Sequence, residues 1–439
     1  MLGKGARFGL IIGVVVVVAA IILWWSLPRL VAAMPGRVRH YVPEVVLAAV
    51  TTPLPTALPA PVGPTSEALV MALATSTPFP TATIALQATG TEAPHLPTPT
   101  AAPSLTPSPT PPVLPDFVRL EGVPIIPQKF NNCGPTNLTL VLNYYDLEVD
   151  QFEIAAVIRP NYEDRNVTPQ EMVEFARNET NLDARAYSGG ELTLLRQLLA
   201  AGFPIIIEKG LVPNEATGWM GHYLTLIGYD EGAQQFIVRD TYLGPWQEDG
   251  FMTFEDIQYF WQQFNDTFIV VFEPDQRDAV SEILGESFAS EREMWHRAAD
   301  RARLAIAADE ENAFAWFNLG TSLTALALLA EDGGSYGPAS AAFDQARLLS
   351  LPPRMLWYQF APYEAYLADG RYNDVIELTD LILNNQGGRN VEETYLYRGL
   401  ALRALGDEIA ASRAFSRAIQ LNPGSPVATQ AELAMAGVP

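Results

Sequence analysis

The sequence predicts an α+β globular domain followed by an all-α domain, the pair preceded by an apolar segment and a linker that does not fold. Three observations carry this. Between residues 117 and 274, helix-like patterns come first and strand-like runs later, the order of an α+β domain rather than a wound α/β sheet. From about residue 279 to the C-terminus only helical periodicity remains, with small and aromatic residues recurring at fixed spacing. From about Thr51 to Pro115 the chain is mainly Pro, Thr, Ala and Ser, with almost no aromatics and no apolar periodicity.

The first element is an uncharged, almost wholly apolar run from Phe8 to Leu27. About 20 such residues span a ~30 Å hydrocarbon layer as a helix. Trp24 and Trp25 lie at its far end, where indoles favour the membrane interface. A cleaved signal has a shorter apolar core of ~7–15 residues, so residues 8–27 read as a retained transmembrane anchor. Lys4 and Arg7 precede the span while Arg29, Arg37 and Arg39 follow it, so flanking charge does not orient it. The linker does: residues 51–115, purest at Thr106-Pro107-Ser108-Pro109-Thr110-Pro111-Pro112, read as a disordered cell-surface stalk. This places the globular part outside the cytoplasm. The net charge of -23 over 439 residues excludes nucleic acid as a natural partner.

In the globular domain, Leu138–Tyr145 reads as a helix. Thr168 caps another, with Pro169 in its first turn, and Glu191–Ala201 is a third, ended by Gly202. Phe203–Glu208 is a buried strand. Tyr223–Tyr229 and Gln235–Arg239 form a hairpin about Asp230-Glu231-Gly232, and Phe268–Phe272 is the last strand. Phe254, Phe260, Trp261 and Phe264 read as core. Residues 279–439 resemble about three tetratricopeptide repeats. Tyr395, Gly399, Leu402, Gly406, Ala411, Phe415, Ala418 and Pro423 match one copy. Trp316, Leu319, Gly320 and Leu323, then Ala339, Phe343 and Ala346, match an earlier one, and Tyr366, Gly370 and Tyr372 a weaker middle one. Such repeats present a surface for a protein partner.

The one cysteine, Cys133, carries the chemistry. It cannot form an internal disulfide. It sits in Gln128-Lys129-Phe130-Asn131-Asn132-Cys133-Gly134-Pro135, just before a helix, where the macrodipole and unpaired N–H groups favour thiolate. A thiol nucleophile needs a base. Of the four histidines only His222 shares its domain, in Gly221-His222-Tyr223-Leu224-Thr225-Leu226-Ile227-Gly228-Tyr229-Asp230. If the hairpin folds about Glu231, partners have numbers summing to roughly 462 and His222 faces Asp240, which would fix the imidazole tautomer. Gln128 is the candidate side-chain donor to an oxyanion, with Asn131 and Asn132 as rivals. Trp219 and Met220 are candidates for a substrate cleft. The carboxylates show no metal-ligand spacing, and no cofactor is expected.

Gln-x(4)-Cys-Gly-Pro leading into a helix, then Gly-His-Tyr-x(4)-Gly-Tyr-Asp on a strand, then Val-x-Asp, resembles the papain-like bacteriocin-processing peptidases, cysteine peptidase family thirty-nine. The resemblance covers about residues 117–274. It implies Cys133 as nucleophile, His222 as base, Asp240 as its orienter and Gln128 as oxyanion donor. Relatives often have one more residue between the Gln and the Cys, and the transporter-fused members act in the cytosol on double-glycine leaders. The implied function is a membrane-anchored, extracytoplasmic cysteine peptidase acting on a peptide or protein. The alternatives are a catalytically inactive peptidase-like scaffold acting through its repeats, and acyl transfer to an amine by the same three residues.

Overall fold

The computed structural model describes residues 57–75 and 114–438, except 215, 216, 332, 385 and 386, together with isolated positions before residue 57. The expected anchor at 8–27, apart from isolated positions, and residues 76–113 of the expected stalk lie outside the described residues. Among the described residues no helix is long and apolar enough to cross a membrane.

A mixed α/β domain comes first, and a helical region follows it. One helix, α1 (Glu67–Thr75), precedes both. The α/β domain runs β1 (Phe117–Arg119), α2 (Cys133–Tyr144), α3 (Gln151–Ile158), α4 (Pro169–Glu179), β2 (Asp183–Tyr187), α5 (Leu192–Ala200), β3 (Ile205–Leu211), β4 (Met220–Asp230), β5 (Gln235–Arg239), β6 (Gly250–Thr253), α6 (Phe254–Trp261) and β7 (Phe268–Phe272). The strands form one antiparallel seven-stranded sheet in the order β2-β7-β3-β4-β5-β6, with β1 pairing on β4. The expected strands are therefore present, and β1, β2 and β6 are additions.

The sheet is covered on both faces, which is why β3 is buried along its whole length. On one face Leu138, Val141 and Leu142 of α2 pack on Ile206, Tyr223 and Ile269. On the other, Leu194, Leu195 and Leu198 of α5 and Ile257 of α6 pack on Ile205, Leu224 and Leu226. Phe254, Trp261 and Phe264 are buried as expected. Helix α2 begins five residues before the predicted Leu138, because Pro135 fits the first turn of a helix and so extends it back to Cys133. That places the thiol in the helix itself.

The hairpin turns through residues 231–234 rather than about Glu231, so its register differs from the expected one. Next to the turn, Gly228 pairs with Ile237, three residues from expectation; beyond an irregularity at Leu226/Gly228, Thr225 pairs with Arg239, two residues from it. An odd shift moves every side chain to the opposite face, and an even one restores it. The bulge thus returns Asp240, one residue beyond β5, to the face of His222. The two meet diagonally rather than directly opposite.

Beyond the sheet, α7 (Arg277–Leu284) belongs to the α/β domain, although residues 279–439 were expected to be repeats. Val280, Leu284, Phe288 and Met294 join the core against α5 and Phe268, which moves the boundary past residue 288. The helical region comprises α8 (Glu291–Ala308), α9 (Ala313–Leu328), α10 (Gly337–Leu348), α11 (Ala361–Ala368), α12 (Tyr372–Leu383), α13 (Glu392–Ala404), α14 (Glu408–Leu421) and α15 (Pro426–Met435), with a 3-10 turn at Pro353–Trp357. Its helices approach closely where glycine permits. A Cβ at Gly320 would stand 2.7 Å from the Phe343 ring, and one at Gly399 2.4 Å from the Phe415 ring. Residues 57–75, placed by composition in the unfolded stalk, are instead ordered against this region through Leu58 and Leu73.

Candidate active site

Cys133 is the first residue of α2 and is partly exposed. N–H groups of a first helical turn have no partner within the helix, and they add to the positive end of the macrodipole beside the thiol. One buried side chain pins this turn to the sheet. Asn137 Nδ2 donates to the Cys133 carbonyl (2.9 Å) and to the Tyr223 carbonyl (2.9 Å), while its Oδ1 accepts from the Thr225 hydroxyl (2.6 Å). Asn137 therefore ties the nucleophile's turn to β4, the strand that bears His222.

His222 is 1% exposed. Its Nε2 lies 3.2 Å from Asp240 Oδ1. That oxygen also accepts the Tyr242 and Leu243 N–H groups at 2.9 and 2.8 Å, so the carboxylate is fixed independently of the ring. Nδ1 is buried with no partner within conventional hydrogen-bond limits, and the Cys133 thiol is a neighbour of the ring. The three groups set one another's charge. Burial pulls the imidazole down, but Asp240 and then Cys133 outweigh it and raise His222 to about 9. Burial pushes the thiol up, but the adjacent His222 brings it below its ordinary value. Asp240, against its own burial, is held down to about 2 by His222 and the two N–H groups. Each group thus shifts the others toward a thiolate beside an imidazolium backed by a carboxylate.

Gln128 is tied to the same corner. Its N–H donates to the Thr241 carbonyl (2.8 Å), and its Oε1 accepts from the Thr241 hydroxyl (2.9 Å), leaving Nε2 as the donor end of the amide. The rivals are committed elsewhere. Asn131 donates to the Asp164 carbonyl and accepts from Arg165. Asn132, 1% exposed, donates to Gln151 and accepts from Arg159 at 2.5 Å. Trp219 also has a structural partner set: it stacks on Phe264, meets Tyr358 edge-on, and donates to Gln263 Oε1 at 2.6 Å.

The sequence reading missed what the helical region brings. Tyr358 packs on Gly221, next to His222, and lies close enough to Cys133 for the thiolate charge, after burial, to hold its phenol up. Arg354 donates to the carbonyls of Thr217 and Trp219. A second contact joins the loop after α3: Asn161 reaches the Asn390 carbonyl (3.5 Å), and Asn166 donates to Glu393 (3.3 Å). No local sequence signal marks these residues, because their partners are more than 130 positions away. Among the described residues no group of His, Cys, Asp and Glu is arranged to hold a metal ion.

Residues 120–268 match the family model described as Peptidase_C39 like. Two solved structures are similar. One is a C39-like peptidase from Bacillus anthracis, 21% identical, covering 36% of this chain and 98% of that one at a TM-score of 0.30. The other is the peptidase domain of Streptococcus ComA, a bi-functional ABC transporter involved in a quorum sensing pathway. It is 20% identical and covers 34% of this chain and 98% of that one, at a TM-score of 0.28. No curated protein matches the chain.

Proposed function

We propose that the chain is a cysteine peptidase in which Cys133 is the nucleophile, His222 the proton carrier, Asp240 the group that holds the imidazolium, and Gln128 a donor to the oxyanion. The observation that carries this is the buried imidazole with Asp240 on Nε2 and the Cys133 thiol as a neighbour of the ring. The Cys133 thiolate attacks the substrate carbonyl carbon, and the electron pair moves to oxygen. The Cys133 N–H and Gln128 Nε2 are suited to stabilise that oxyanion. As the carbon–nitrogen bond breaks, His222 gives its proton to the leaving amine. It then takes a proton from water, whose oxygen attacks the thioester, and Cys133 leaves as thiolate with a carboxylic acid released. An inactive scaffold gives no reason to keep a thiol, an imidazole and a carboxylate together in a site where burial opposes all three charges.

The helical region is read as tetratricopeptide repeats that bind the substrate protein or a partner, supported by the glycine–phenylalanine approaches at Gly320–Phe343 and Gly399–Phe415. The apolar run at 8–27 is read as a membrane anchor, with the folded part outside the cytoplasm. Protease added to intact cells should then cut within residues 76–113.

The catalytic reading is tested by alkylating Cys133 across pH in the full chain. Rapid labelling that persists below the ordinary thiol range, and that slows at least ~10-fold in His222→Ala, is expected. A labelling profile of an ordinary thiol, unchanged in His222→Ala, would overturn it.

A further inference from the structure

Residues 58–63, Leu58-Pro59-Ala60-Pro61-Val62-Gly63, cross the helical region without regular secondary structure, bend at Val62 and Gly63, and are recognised through their main chain. The Leu58 N–H donates to the Leu351 carbonyl at 2.9 Å. Arg347 donates from Nε to the Pro59 carbonyl at 2.8 Å and from Nη2 to the Ala60 carbonyl at 3.0 Å. The Asp374 carboxylate accepts the Val62 N–H at 2.9 Å and the Gly63 N–H at 3.1 Å, one on each oxygen. Arg347 and Asp374 are themselves paired at 2.7 Å, each side chain only 2% exposed.

A buried ion pair is stable only when its remaining donors and lone pairs are satisfied. Here the segment's carbonyls and N–H groups complete a set to which Glu377 and Arg371 also contribute, so the groove has the chemistry of a receptor for non-helical backbone. The occupant suits it. Pro59 and Pro61 favour an extended chain and bring no N–H needing a partner. Leu58 enters the core of the helical region at 5% exposure. A Cβ on Gly63 would stand 2.9 Å from Arg371 Nε and 3.1 Å from Asp374 Oδ2, and Arg371 is held by Asp344 and Asp374. Helix α1 then continues the attachment through Leu73.

We propose that the Arg347–Asp374 groove is a binding site for a non-helical, proline-containing segment that bends at a terminal glycine, and that Leu58–Gly63 of the same chain is its resident occupant. The chain upstream of residue 76 is thereby clamped to the helical region. The stretch between Thr75 and Leu114 begins and ends on one folded body, so cutting it does not by itself free the folded part.

The test uses the full chain in mild detergent, with an N-terminal affinity tag and a specific protease site inserted within residues 76–113. After complete cutting, the tag should still capture the C-terminal piece. Gly63→Val, and separately Leu58→Asp, should release at least ten times more of it while the helical region still unfolds cooperatively. Full release from the otherwise native sequence, or equal retention by both variants, would overturn the proposal. So would capture, from a mixed preparation, of an untagged copy's C-terminal piece in place of its own, which would assign the groove to a second copy.

Discussion

Asp240→Asn removes a charge while keeping a shape. All three contacts of the carboxylate, to His222 Nε2, Tyr242 N–H and Leu243 N–H, fall on Oδ1, an atom that an asparagine also offers. What is lost is the counter-charge to the imidazolium. His222 stands at about 9 against an ordinary 6.5, which corresponds to about 3.5 kcal/mol at ~1.4 kcal/mol per tenfold. Seen from the carboxylate, the descent from 3.8 to about 2 corresponds to about 2.5 kcal/mol. The smaller figure is the better one for Asp240 alone, because His222 is also held by the thiolate. Histidine ring NMR on the full chain, titrated from acid to alkaline pH, reads this directly. In the native chain the His222 proton should leave near 9, and in Asp240→Asn at least about one pH unit lower. Peptide hydrolysis should then lose its alkaline limb at the same lower pH and fall about 10²-fold. A His222 titration that does not move, with hydrolysis within about twofold, would refute the account of the site.

The interface between the two regions should respond to pH. Asp164, Glu171, Glu392 and Glu393 are gathered there, and burial first, then mutual repulsion, raises Asp164 and Glu393 well above ordinary carboxylates and Glu171 to about 7. Arg159 and Asn422 are their nearby polar company. A carboxylate raised on docking favours docking fully below its free value near 4.5, and the benefit is lost as pH climbs through its docked value. Hydrogen exchange at residues 159–166 and 390–394 should therefore quicken as pH passes about 7, beyond the intrinsic rate change, and Glu393→Gln should remove part of that response. Tyr358→Ala should speed alkylation of Cys133 several-fold by opening the wall at Gly221, while Tyr358→Phe, which keeps the ring, should not. Phe415→Ala should destabilise the C-terminal helices by ~3–5 kcal/mol, read as an earlier unfolding transition, because its ring fills the space that Gly399 leaves.

The site was legible in the sequence because its chemistry is local to short motifs. A thiol at a helix start and a histidine at a strand start both announce themselves. The pairing of His222 with Asp240 was legible only by luck of parity. The turn at 231–234 shifts the register by an odd step, and the bulge at Leu226/Gly228 removes the flip. Hairpin numbering contains neither quantity. Helix α3 had a signal that was passed over: Asp150 accepts from the Glu153 N–H, and Glu153 accepts from the Asp150 N–H, the reciprocal cap written as Asp-x-x-Glu. The clamp at 58–63 had none. Proline and alanine carry no apolar period, and the segment is ordered by Arg347 and Asp374, which lie nearly 300 or more residues away.

The helical region is not a separate module hung behind the candidate peptidase. It reaches the surroundings of Cys133 by two contacts, through Tyr358 at Gly221 and through Glu393 at Asn166. The second contact leads back to the nucleophile by polar steps: Asn166 N–H donates to Asp164, whose carbonyl accepts from Asn131, two residues before Cys133. A change in how the helical region sits must therefore alter either the wall beside His222 or the loop that leads into α2. Binding a partner to the part of the helical region that carries Tyr358 and Glu393 is thus able to reach the thiol without touching it. That requires a partner with different affinity for the docked and loosened arrangements, since a ligand that binds both equally shifts neither.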